Sequence, residues 1–484
     1  ASLVGTGKAS GLKGDKPDIQ GLQIVAKDFD PVRFTQVYPP LEAQLAGMIA
    51  GPIGMKLTGA GSAENAAFDL LIDLTPVKLD VPKQLTKAVG AKMLLEAKAR
   101  LGKPGAPISF TSSMDLAGVD LRPGLSLTKA PGDTMKLSMA GTYRDLARPE
   151  KGQRIDLSEF RFDVLADTIT GKLWAELASA PKKATRFELT MRSDKLDLDK
   201  LLQKTKKEKV EKPPPDPKTF AGLSGKSDIR FAKMISSGME MKNVVSVVQM
   251  TDDLVDVQKA ELDVLDGHVS AAGTSLKLAH PKEPMTAKLD LKGIDLAKAA
   301  ALATDKKVLT GKLDSLVDVK AAGQDTEAIK QSLAGTMNGK VIDGVFYGKD
   351  LVAGATGPLA KSLPFGLAGK DGAGGQTSLG KEVQFSIVFA NGEAKLAKPI
   401  TITQPDAGLV LTGGMKLDGA LNLPGTLTLA PGFIAQMTGG KAKVSQPVPV
   451  KLRIAGQVTS PKVTDLDFGD AVATIGKGAL GSVL

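Results

Sequence analysis

Apolar and polar residues alternate with a period of two along most of this chain. Phe68-Asp-Leu70-Leu-Ile72-Asp-Leu74 carries its even positions on one apolar face. Met135-Lys-Leu137-Ser-Met139, Ala287-Lys-Leu289-Asp-Leu291 and Val448-Pro-Val450-Lys-Leu452-Arg-Ile454 repeat the pattern. The positions between are mostly Lys, Asp, Arg, Ser or Pro. Such segments predict strands with one wet face and one apolar face, as antiparallel sheets have. The expected fold class is mainly β, an antiparallel sheet with short capping helices.

A second element punctuates the strands: an Asp, then a short helix or turn, then another strand ending near a Gly. Asp30-Pro31 places a capping side chain before a Pro at the first helical position, and Pro39-Pro40 ends that segment. Asp80, Asp120, Asp197 and Asp295 open similar segments. Internal similarity at an offset of 100 sets Phe162-Asp-Val-Leu165 against Leu262-Asp-Val-Leu265, and Asp197-Leu198 against Asp295-Leu296 with a slip of two. Repetition on this scale predicts an extended architecture whose units pack mainly on their neighbours; two similar compact domains are the alternative.

Residues 204–219 are charged and then proline-rich and predict a solvated loop. They divide the chain into a repetitive β segment at 1–203 and a second β segment at 220–484. The Gly-rich stretch 369–378 predicts another flexible loop, and residues 469–484 a helix. Within Leu333 to Leu351, Asp343-Gly344 separates Val341-Ile342 from Val345-Phe346-Tyr347, which predicts a hairpin turn. Asp350 stands where it can cap a following helix.

Composition removes most chemistry. The 484 residues contain no Cys and two His, which excludes thiol catalysis and disulfides and leaves little for metal or triad sites. The net charge of +10 is spread among mixed signs, and aromatics make up only 4%, too few for base-stacking platforms, so nucleic acid is not an expected partner. Gly5-Thr-Gly7-Lys8-Ala9 lacks both the first glycine and the final hydroxyl of a phosphate loop. Asp263, Asp266 and His268 are near in sequence but fall on a strand and turn, as a solvent-facing set does. No catalytic, cofactor or metal residue is expected. No run of about 18 apolar residues is present.

From Gly222 onward the order of features resembles the C-terminal domain of the AsmA family. It is carried by Leu223-Ser-Gly225-Lys-Ser-Asp228, Leu309-Thr-Gly311-Lys-Leu313-Asp, Leu333-Ala-Gly335, and Asp343-Gly344-Val-Phe-Tyr-Gly348-Lys-Asp350-Leu351. Asn391-Gly392, Gly413-Gly414-Met-Lys-Leu417-Asp and Val448-Pro-Val450-Lys-Leu452-Arg-Ile454-Ala-Gly456 complete the series. The charged stretch at 204–218 departs from the family pattern.

The resemblance implies a periplasmic protein of a double-membrane bacterium, tethered to the inner membrane by an N-terminal anchor before Ala1, with an outer-membrane partner and no catalytic residues. The wider group, with TamB and YhdP, is similar to bridge-like lipid-transfer proteins. Their elongated, twisted sheet curls into a groove along which phospholipid acyl chains slide. On that reading Ile229, Phe231, Leu289, Leu291, Phe346, Val450, Leu452 and Ile454 line the groove. A sheet on the order of 25–30 strands at about 4.8 Å spacing would run roughly 120–145 Å. The rival reading is a periplasmic or extracellular β-scaffold without lipid, adhesin-like or an assembly factor. A membrane barrel is disfavoured, since one Trp and three Tyr cannot build aromatic girdles.

Overall fold

A computed structural model of the chain describes residues 2–10, 18–31, 47–62, 64–82, 84–103, 105–121, 127, 129–144, 152–177, 185–202, 216–323, 325–363 and 373–480. The chain divides into two compact units, Ala1–Gln258 and Lys259–Leu484. Both are mainly β with short helices, as the alternation predicts.

In the first unit most neighbours in the sheet are neighbours in sequence. Strand Asp18–Phe29 pairs with Ser2–Ser10 and Ile53–Ser62. The ladder then continues through Asn65–Asp73, Leu94–Leu101, Ile108–Asp115, Met135–Arg144, Gln153–Val164, Asp167–Leu177 and Thr185–Ser193. All these pairs are antiparallel. The purely antiparallel expectation fails at the next step, where Thr185–Ser193 runs parallel to Leu223–Ser236. A parallel neighbour needs a crossover that returns the chain to its starting end. The segment between them, which includes the charged stretch, supplies it. Residues 203–215 of that stretch lie outside the described residues, as does most of the segment expected after Asp30.

The segment opened by Asp80 is a rim of strands and not a helix. Ile49–Ala50, Lys78–Val81, Leu85–Lys87 and Val119–Leu121 form a separate four-stranded sheet. Its small core packs Val119 and Leu121 on Met135, with Leu85, Leu116 and Phe162 around them. Two buried lysines hold the rim. Lys87 Nζ donates to the carbonyls of Thr75 (3.0 Å), Val77 (2.7 Å) and Ala88 (3.1 Å). Lys129 Nζ does the same to Ala117 (2.8 Å), Val119 (2.7 Å) and Ala130 (2.9 Å). Burial pushes both ammonium groups below their ordinary pKa. All three donors of each are satisfied, so the cost of burial is offset. Every partner is shifted by the same 42 positions, so Leu85-Thr-Lys87-Ala88 and Leu127-Thr-Lys129-Ala130 are two copies of one device.

The offset of 100 also has a backbone counterpart. Leu165 (φ 53°) and Leu265 (φ 52°) both turn the chain in the left-handed region, a rare conformation for a branched residue.

In the second unit Met285–Asp295, Leu309–Ala321, Ala334–Lys349 and Ala373–Ala390 make successive antiparallel pairs. Asp295 and Asp350 cap helices Leu296–Ala301 and Leu351–Ser362, accepting from Lys298 N (3.0 Å) and Ala353 N (2.9 Å). Asp197 caps Leu198–Leu201 in the first unit in the same way.

Asp343-Gly344 is a bulge inside the strand Ala334–Lys349, where a turn was expected. Lys312 faces Ile342 and Thr310 faces Val345, so two residues oppose Gly311 alone. Asp343 takes φ 50°, whereas Gly344 stays outside the left-handed region, so the pair cannot form the turn that needs both. Strands on both sides keep the chain extended through it. Similar register shifts with a left-handed residue occur at Asp28, Gly293 and Asp465. Each bends and twists its strand locally. Of the Gly-rich loop expected at 369–378, residues 369–372 lie outside the described residues, and from Ala373 on it is strand, with Gln376, Thr377 and Ser378 facing Tyr347, Phe346 and Val345.

Candidate functional site

Residues directly opposite on paired strands share a face, so the register traces each face from strand to strand. One line in the first unit runs Ile24, Leu57, Leu70, Ala97, Ser112, Met139, Phe160, Gly171, Met191, Ile229 and Ser246. A parallel line runs Leu22, Gly59, Phe68, Ala99, Phe110, Gly141, Leu157, Leu173, Leu189, Ser227 and Val248. Neither line contains a charged side chain. Most of their residues are half-buried, while intervening positions such as Asp69, Lys98 and Lys172 are exposed. Among the described residues the helices of this unit, apart from a first helical residue at Pro31, are the four-residue Leu198–Leu201 and the three-residue 3₁₀ turn Pro217–Thr219. They are too short to roof an apolar face this wide.

The opposite face is a field of paired charges. Arg154 Nε donates to Asp156 (2.8 Å), Arg161 Nε to Asp163 (2.9 Å) and Arg230 Nε to Asp228 (3.0 Å). The hydrogen-bonded guanidinium holds each carboxyl below the usual range, and Arg192 adds to the effect at Asp228. The Arg154 guanidinium also lies 4.9 Å from the Trp174 ring centre. Asp263 and His268 Nδ1 are 2.8 Å apart on the surface. Among the described residues no cluster of three or more acidic or histidine side chains suits a metal ion.

The second unit carries the same kind of apolar face, in two states. Leu289, Val317, Met337, Ile387 and Leu396 stand opposite one another and are half-buried. Leu291 follows on the same strand beside Ser315. Farther on, Ile402, Leu409, Leu427 and Val450 are paired in the same way, but are 5%, 4%, 1% and 0% exposed. Their cover is protein. Leu359 of helix Leu351–Ser362, Ile434 of Pro431–Met437, and Ala471 and Ile475 of Gly469–Leu480 belong to one core with them.

The eight groove-lining candidates therefore fall into different settings. Ile229 lies on the open apolar face of the first unit, and Phe231, 8% exposed, continues it on the same strand. Leu289 and Leu291 lie on the half-buried part of the second unit's face. Phe346 stands five positions after Val341, which in a regular strand would put it on the opposite face. The bulge restores the parity, and Phe346 faces Leu309 as Val341 faces Leu313. Val450, Leu452 and Ile454 sit inside the helix-covered core, so in this structure helices and not an open groove cover them. Sequence reading missed this cover because the three helices are short and come from separate places along the chain. It also missed the twin lysines, although the repeated Leu-Thr-Lys-Ala was there to be found.

Residues 216–320 match the family model YdbH-like, described as intermembrane phospholipid transport protein YdbH. This stretch is similar to that family, and it makes up less than a quarter of the chain. No curated protein and no solved structure matches the chain. The YdbH-like stretch includes four of the eight candidates: Ile229, Phe231, Leu289 and Leu291. No helix among the described residues is long and apolar enough to cross a membrane.

Proposed function

We propose that this chain carries phospholipids between the two membranes of a bacterial envelope, with acyl chains held on the open apolar face of its sheets. The observation that carries the proposal is the uncharged, half-buried face running across the first unit without a roof among the described residues. A sheet face of this composition needs a second layer or a ligand to cover it. Each acyl methylene removed from water contributes about 0.8 kcal/mol, so lipid chains are an adequate cover. With no fixed charge along the face there is nothing to select one headgroup. The paired charges opposite keep the other face in water.

The YdbH-like match supports phospholipid as cargo. The periplasmic bridge, its inner-membrane anchor and an outer-membrane partner complete the proposal. Purified full chain is expected to carry phospholipid detectable by mass spectrometry and to move labelled lipid between liposomes. Lipid-free protein that is inert in transfer would instead support the scaffold reading.

A further inference from the structure

On the open faces, phenylalanine repeatedly stands directly opposite glycine. Phe68 faces Gly59, Phe160 faces Gly171, Phe187 faces Gly225, and Phe385 faces Gly339. All four glycines are strand residues outside the left-handed region, so a positive φ is not what the position requires. Space is. A Cβ on Gly59 would come within 2.7 Å of the Phe68 ring, on Gly171 within 2.5 Å of the Phe160 ring, and on Gly339 within 2.9 Å of the Phe385 ring. The same overlap holds at Gly225 with the Phe187 ring. Each ring thus leans across its neighbour strand and fills the place a side chain would take.

We propose that these glycines are positioning residues that keep the apolar face level. They lay the largest side chains flat, so that acyl chains pass over them and do not meet an upright ring. The inference rests on the lipid-carrying reading above. It adds that passage, as distinct from binding, depends on where the Phe rings lie.

Gly59 gives the clean test. At Gly171, Gly225 and Gly339 an added Cβ would also strike neighbouring backbone, but at Gly59 its close contacts are the Phe68 ring and, at an ordinary 3.5 Å, Leu22 Cδ2. Gly59→Ala should therefore lift the Phe68 ring off the floor while the fold stays intact by circular dichroism. The variant is expected to keep its bound phospholipid but to lose about tenfold in liposome-to-liposome transfer, the scale of an overpacked contact. The double variant Gly59→Ala/Phe68→Ala should recover most of the rate. A folded Gly59→Ala protein that transfers at the original rate, or a double variant that stays slow, would overturn the inference. Wild-type protein without lipid would overturn the functional reading itself, a separate result.

Discussion

The apolar face of the first unit and that of strands Ile400–Thr403, Ala407–Leu411 and Val448–Gln457 in the second are written in the same alternation, yet their environments differ. Leu173 and Leu189 are half-buried on a face that no helix covers among the described residues. Leu427 and Val450 are sealed beneath three helices. Where the chain supplies its own second layer, the sheet is an ordinary core. Over the first unit's face the described residues supply no such layer.

The largest effect should come from cutting into the closed region. Leu427→Ala removes a side chain that is 1% exposed and leaves a cavity under the helices, at about 2–5 kcal/mol of stability by chemical denaturation. Bound lipid per folded molecule should not change. If this substitution empties the protein of lipid while stability holds, the comparison is the wrong way round.

Next in size is the rim of the first unit. Lys87→Met leaves the carbonyls of Thr75, Val77 and Ala88 without the ammonium they share, costing about 1–3 kcal/mol. Lys129→Met should cost about the same, since its three bonds are equivalent. A large difference between the two in thermal unfolding would show that they are not copies of one device.

The open face should respond in the reverse way to the closed one. Leu173→Ala is expected to cost only about 1 kcal/mol, because its side chain is already part-exposed. Leu173→Asp should lower phospholipid content severalfold at a charge-burial penalty that only a bound acyl chain would impose. Unchanged lipid content in folded Leu173→Asp protein would place the cargo elsewhere.

The smallest effect is on the polar face. Asp156, Asp163 and Asp228 have carboxyls held below their ordinary values by Arg154, Arg161 and Arg230. Their stabilising contribution is fully present above the unfolded value of about 3.9 and is lost as pH falls through the lowered folded values. An acid titration of the melting temperature should therefore be flat from neutral to about pH 4 and fall only below it, without changing which lipids are bound above that pH.

Much of this was legible along the chain. Phe68, Leu70 and Ile72 share a face in space as their spacing dictates, because strand periodicity is a property of the backbone. Asp197, Asp295 and Asp350 cap helices because a cap is decided within three residues. Asp343-Gly344 misled because the pair signals left-handed backbone, and only the strands on either side decide between a turn and a bulge. The open and closed faces could not be told apart at Leu289 and Val450. The pattern is identical, and the difference lies in helices Leu351–Ser362, Pro431–Met437 and Gly469–Leu480, at widely different distances along the chain. Phe346 was assigned to the apolar face without the bulge that puts it there.

The central claim is that lipid chains lie on the open apolar face and nowhere else on the sheet. A photo-crosslinking amino acid in place of Leu173, of Leu289, or of Trp174 on the polar face tests it in the full chain. The account predicts phospholipid adducts by mass spectrometry at Leu173 and Leu289 and none at Trp174. Equal adducts at all three, or none at Leu173 in protein that carries lipid, would contradict it.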